Sequence, residues 1–97
     1  MITYVVLVNF TDQGIRNAKD TVKRAEALKE MAKKFGVTVR EFFWTAGLHD
    51  IVTITEAPDE ASGMALNVSL CALGNVRTQT LHAFSANEMK QIIAKMA

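Results

Sequence analysis

The chain has one cysteine and one proline, and each scarcity excludes something. Cys71 alone cannot staple the fold, and a single thiol is no framework for a structural metal. With Pro58 as the lone proline there is no proline-rich linker, and no low-complexity segment or internal repeat accompanies it. Charge of one sign is also missing. A net charge of +1 gives no electrostatic reason to expect a nucleic-acid partner or an anionic membrane surface. No apolar run approaches the ~20 residues needed to cross a bilayer. No glycine loop that cradles phosphate is present, nor any Cys-x-x-Cys or His-Glu-x-x-His spacing. The expectation is therefore no metal, no cofactor, no nucleic acid and no membrane. Met1 leads straight into a strand-like run rather than a basic segment with an apolar core, so a cytoplasmic location is expected.

What is present is an ordinary globular composition, 49% hydrophobic and 22% charged over 97 residues, which predicts one domain across residues 1–97. Ile2 to Thr11 is rich in β-branched and aromatic residues and reads as a strand. Asp12 to Phe35 reads as helix, with Gly14 and Asn17 weakening its start and a break expected near Lys19-Asp20. Val22, Ala25, Leu28, Ala32 and Phe35 then recur at spacings of three and four, one apolar stripe. Gly36 ends the helix. Val37 to Thr45 and His49 to Glu56 form a hairpin around Ala46-Gly47. Pro58 stops further pairing, and Asp59-Glu60 starts a second helix that runs to about Leu73, with Gly63 inside it at a cost of about 1 kcal/mol. Val76 to Phe84 is a fourth strand. Ser85 and Glu88 make a capping box for a short last helix, Met89 to Met96. The order β-α-β-β-α-β-α is an α+β, ferredoxin-like split βαβ with an extra helix. It implies a four-stranded antiparallel sheet in order 4-1-3-2 with both long helices on one face.

A sheet with one wet face should alternate apolar and polar residues. Here Tyr4, Val6, Val8 and Phe10 point one way while Val5 and Leu7 point the other; Val52 and Ile54 oppose Ile51, and Phe43 opposes Phe42 and Trp44. Helices can cover only one face. The other is expected to pack on a second copy, giving a homodimer or a higher homo-oligomer.

These residues carry a resemblance. Asn9-Phe10-Thr11-Asp12-Gln13-Gly14-Ile15-Arg16, Lys23-Arg24-Ala25-Glu26-Ala27, Trp44-Thr45-Ala46-Gly47-Leu48-His49-Asp50, Glu56-Ala57-Pro58-Asp59 and Leu73-Gly74-Asn75-Val76-Arg77-Thr78-Gln79-Thr80 resemble, in order and over nearly the whole chain, the GYD domain family of the dimeric α+β barrels. The resemblance implies the fold and the dimer. The family's Gly-x-Tyr-Asp motif falls on Gly47, Leu48, His49 and Asp50, so His49 stands where tyrosine is expected, and a familiar proline early in the long helix is replaced near Val22. Related barrels include cofactor-independent oxygenases, haem-degrading enzymes, isomerases and binding proteins. Fold analogy thus leaves the activity open.

The polar residues sort by sheet end. With the first and third strands taken to run one way and the other two the opposite way, one end gathers Asn9, Asp12, Arg16, Asn75, Arg77 and Glu56. The other gathers Thr3, Tyr4, Trp44, Thr45, His49, Asp50 and His82. His49 could act as general acid or base with Asp50 beside it. The bland alternative makes Asp50 an acceptor for backbone donors of the Ala46-Gly47 turn. Arg77 with Asn75, Asn9 and Gln79 could clamp a carboxylate, or could pair with Glu41 or Glu56 to fasten the dimer. His49 and His82 fall short of a metal set. Cys71 and the helix methionines read as packing.

Three functions fit. A binding domain would hold a small, partly apolar molecule between or beside the sheets, with Tyr4, Phe42, Phe43 and Trp44 as wall and Asn9, Arg77, Gln79 or His49 to orient it. A cofactor-independent isomerase or monooxygenase would use His49 as its acid/base. A structural or regulatory dimer would have no ligand site.

Overall fold

The computed structural model describes all of residues 1–97. Strand β1 (Ile2–Phe10) leads into a short helix α1 (Asp12–Arg16), a 3-10 turn (Ala18–Asp20) and helix α2 (Thr21–Lys34). A hairpin of β2 (Thr38–Trp44) and β3 (Ile51–Ala57) follows, then α3 (Glu60–Ala72), β4 (Val76–Ala83) and α4 (Ala86–Ala94). The sheet order is β2-β3-β1-β4, the expected order read from the other edge, and every neighbouring pair is antiparallel. A bulge interrupts the β2–β3 register between Val39 and Glu41, and it frees Arg40 to pair with Glu56.

Side chains supply the helix starts. The Thr11 hydroxyl accepts the Gly14 N–H at α1, and the Asp59 carboxylate accepts that of Ser62 at α3. Ser85 and Glu88 exchange both hydrogen bonds of the capping box at α4. Each satisfies a backbone donor that the helix itself leaves open. The accepted Ser62 N–H holds the Asp59 carboxyl below its usual range, and the accepted Ser85 N–H does the same for Glu88. A carboxyl depressed in the folded state adds stability that is fully present above its unfolded value, roughly 4, and fades as pH falls through the folded one. Thermal midpoints should therefore drop on acidification below about pH 4. The double variant Asp59→Asn, Glu88→Gln should drop less steeply over the same window. Identical acid limbs would remove these caps as the cause.

The core lies between the sheet and α2 and α3. Leu28, Ala32, Val37, Ala57 and Leu66 form one buried cluster, and Val8, Ile51 and Val76 form a second. Phe42 and Leu70 touch both. The α2 stripe is shorter than its sequence suggests, because Val22 is 56% exposed. At the start of α2 the inward position belongs to Thr21, whose hydroxyl accepts the Trp44 indole N–H at 2.9 Å. Gly63 sits where α3 crosses β1: a Cβ there would come within 3.1 Å of the Tyr4 ring, so the close approach accounts for a glycine inside a helix.

One expectation is corrected. β1 and β3 run in opposite directions, with Val8 opposite Ile51 and Ile2 opposite Ala57. The helical crossover makes β1 parallel to β2, and the tight hairpin then reverses β3. The start of β3 therefore lies beside the end of β1. His49 and Asp50 join Asn9, Asn75 and Arg77 at one end, while Glu56 moves to the other end with Thr3, Tyr4 and His82.

Candidate functional site

The rim at the end of β1 is a closed polar lattice. His49 Nδ1 lies 2.9 Å from Asn9 Oδ1, and Asn9 Nδ2 donates to Leu48 O at 2.8 Å. Asp50 continues the ladder: its N–H donates to Val8 O at 2.9 Å and its carboxylate accepts the Phe10 N–H at 2.8 Å. The donor reaching that carboxylate is thus in β1, not in the Ala46-Gly47 turn. On the far side, Asn75 O accepts the Thr11 N–H at 3.0 Å and Asn75 Oδ1 accepts from Gln13 at 2.9 Å. Three loops are sewn together, and each polar group named here is engaged by the backbone or by another side chain of the lattice.

Arg77 bends back to its own strand and to α3, donating to Val76 O at 2.8 Å and to Cys71 O at 3.3 Å. No carboxylate meets it: Glu56 lies at the other end of the sheet, paired with Arg40. Gln79 is exposed on the outer face, opposite Leu7. Trp44 packs edge-on against Phe42 at 4.9 Å, and 44% of its surface remains exposed. Cys71 packs with its thiol 3.6 Å from the Thr78 hydroxyl.

Of the residues read from sequence as wall or anchor of a ligand site, Tyr4 and Phe42 face a cavity. The same alternation that sends Val5 and Leu7 outward sends Tyr4, Val6, Val8 and Phe10 toward the helices. Thr53 and Thr55 of β3 and Thr80 and His82 of β4 share that face. Leu28 and Met31 of α2, with Met64, Leu66, Asn67 and Leu70 of α3, approach from above without filling the gap. The space between is about 490 Å³. Its wall is mostly aliphatic. Threonines lie along its floor, Tyr4, His82 and Glu60 stand at one end, and Arg24, Asn67 and Asn75 add polar groups elsewhere in the wall.

At that end the rings of Tyr4 and His82 stand 5.6 Å apart, and His82 stacks on Phe84 at 4.4 Å. Partial burial, and then the carboxylates of Glu60 and Asp59, push the Tyr4 phenol up, so it stays a protonated donor at neutral pH. Arg24 is the lone arginine or lysine in the wall. Its guanidinium is spent on Asn17 O and Gly14 O, and it lies 5.8 Å from the centre of the Phe10 ring.

The GYD domain family profile matches residues 4–93. The chain belongs to the GYD domain family. The crystal structure of TTHA0845 from Thermus thermophilus is similar in fold, with a TM-score of 0.58 and 27% sequence identity over 89% of this chain and 96% of that one. No curated protein matches. In this GYD domain, the Gly47-Leu48-His49-Asp50 segment that occupies the motif position works as a rim: its aspartate receives a β1 backbone donor and its histidine is held by Asn9. Neither His49 nor Asp50 lines the cavity.

Sequence reasoning missed His82, Thr55 and Glu60 as cavity residues. The signal for His82 was available, since it shares strand parity with Thr78 and Thr80, opposite Tyr4. No helix is long and apolar enough to cross a membrane.

Proposed function

We propose that this GYD domain binds a small, partly apolar molecule in the cavity between its sheet and its two long helices. The observation that carries the reading is the cavity itself, about 490 Å³ in a chain of 97 residues. Ligand sites typically measure about 300–1,000 Å³, with apolar walls and a few converging polar groups. A dry void costs about 24 cal/mol per Å³ of volume, so one of this size would consume a large share of a domain's stability of roughly 5–15 kcal/mol. Solvent reaches the space, and its aliphatic wall favours exchange of that solvent for an apolar molecule.

Naphthalene is a suitable first probe, followed by its own fluorescence and by calorimetry. Saturable one-to-one binding is expected. Thr55→Leu, which adds apolar bulk to the cavity floor, should weaken it about tenfold while leaving the thermal midpoint equal or higher. Binding that Thr55→Leu does not touch would place the probe elsewhere, and absence of binding would defeat the reading.

The partner in the same proposal is a second copy of the chain. Outside the helix layer, Val5, Leu7, Val52 and Ile54 form an apolar centre continued by Phe43 and Leu81, which are 55% and 43% exposed. Contiguous apolar patches of this kind on a sheet face mark an interaction surface. The patch lies on the opposite side of the sheet from the cavity, so dimerisation leaves the cavity accessible.

A further inference from the structure

Charge and hydrogen-bonding capacity at the Tyr4 end restrict what the cavity can take, an inference that rests on the cavity-binding reading and sharpens it. Arg24 stands at the far end of the cavity, beside Phe10 and tied to two backbone carbonyls, so no guanidinium or ammonium faces the Tyr4 end. The start of α3 lies close by, and an open helix N-terminus would favour an anion. Here it is closed: the Asp59 carboxylate accepts the Ser62 N–H at 2.7 Å, and Glu60 adds a second negative charge beside the cavity. An anionic group at this end would meet two carboxylates and no arginine or lysine. A cation fares little better. Glu60 is solvent-exposed at the margin, where screening weakens it, while the rest of the wall offers a buried charge no partner.

Besides Glu60 and the His82 ring, the polar group at this end is the Tyr4 hydroxyl. It donates to no group of the chain, and its ring is fixed between His82 and Gly63. A phenol in that position is a ready donor to an acceptor that carries no charge. The Tyr4 and His82 rings at this end suit a planar, ring-containing molecule. We infer that the cavity selects a neutral, planar, ring-containing molecule bearing a carbonyl, with the carbonyl oxygen accepting from the Tyr4 hydroxyl and the rings lying against the aliphatic wall.

Four probes of one shape separate the possibilities: naphthalene, 2-acetylnaphthalene, 2-naphthoate and 2-naphthylmethylammonium, each titrated at pH 7 against the full chain. The ketone is expected to bind at least tenfold tighter than the anion and the cation. Tyr4→Phe keeps the ring and should weaken the ketone about tenfold while leaving naphthalene unchanged. If naphthalene binds but either charged probe equals the ketone, the selection for neutrality is overturned and the cavity reading stands. If Tyr4→Phe leaves the ketone unchanged, the assigned donor is overturned. If none of the four binds, both readings fall together.

Discussion

Gly14→Ala should destabilise this domain by about 3–5 kcal/mol, among the largest effects of any single substitution in it. Gly14 is buried, and a Cβ built on it would lie 2.0 Å from the Asn75 carbonyl oxygen, far inside contact distance. That oxygen cannot move away cheaply, because it accepts the Thr11 N–H that joins α1 to the start of β4. Gly14 is held as well: its N–H donates to the Thr11 hydroxyl at 3.1 Å and its carbonyl accepts from Arg24 at 3.2 Å. Alanine would gain roughly 1 kcal/mol in helix propensity, which the clash exceeds several-fold. Gly63→Ala makes the contrast. Its new methyl meets the edge of the Tyr4 side chain at 3.1 Å rather than backbone, so propensity and crowding should nearly cancel. Urea unfolding of both variants checks the pair. The midpoint should fall sharply for Gly14→Ala with an unchanged slope, and should shift little for Gly63→Ala. Comparable midpoints would mean that α1 gives way freely, and that its seam with β4 contributes little.

The element order, the caps and the two-faced strands were legible because each has a local cause. Thr11, Asp59 and Ser85 announce helix starts, Gly36 and Gly74 take the positive φ that ends them, and alternation sorts Tyr4 from Val5. The relative direction of β1 and β3 is not local. It depends on combining the crossover with the hairpin, and taking it the wrong way put His49 at the wrong end of the sheet. In the structure His49 and Asp50 join Asn9, Asn75 and Arg77, while Glu56 goes to the end of Tyr4 and His82. His49 and Asp50 are then held by their new neighbours, in the contact of His49 with Asn9 and of Asp50 with Phe10. The cavity was less legible still. Its existence depends on how far α2 and α3 stand from the sheet, a distance set by many side chains together. His82 drew attention as a metal ligand, when its significance comes from standing opposite Tyr4 on the helix-facing side.

If the outer sheet face is the proposed dimer interface, Leu7→Lys should leave a monomer. Leu7 occupies the middle of the outer sheet face, with Val52 on one side and Gln79 on the other, and Phe43 extends the row through Val52. The next row runs Ile54, Val5, Leu81. Polar residues ring this centre: the Arg40–Glu56 ion pair, Glu41, Asn9, Arg77 and Gln79. An apolar middle with a polar margin is the arrangement of a protein interface. Helix α4 points the same way, since it buries no residue and leaves Met89 46% and Ile93 54% exposed. A lysine at the centre would have to bury an unpaired ammonium against an apolar partner surface, and hot-spot losses of that kind weaken association by about a hundredfold or more. The folded monomer should tolerate the change, because in a single copy the lysine can extend into water. Light scattering at micromolar concentration should give twice the monomer mass for the unmodified chain and the monomer mass for Leu7→Lys, with Lys29→Glu on the exposed side of α2 remaining dimeric. A monomer mass for the unmodified chain would sink the interface. The apolar outer face would then need another partner, because exposed area of that kind promotes association of some sort.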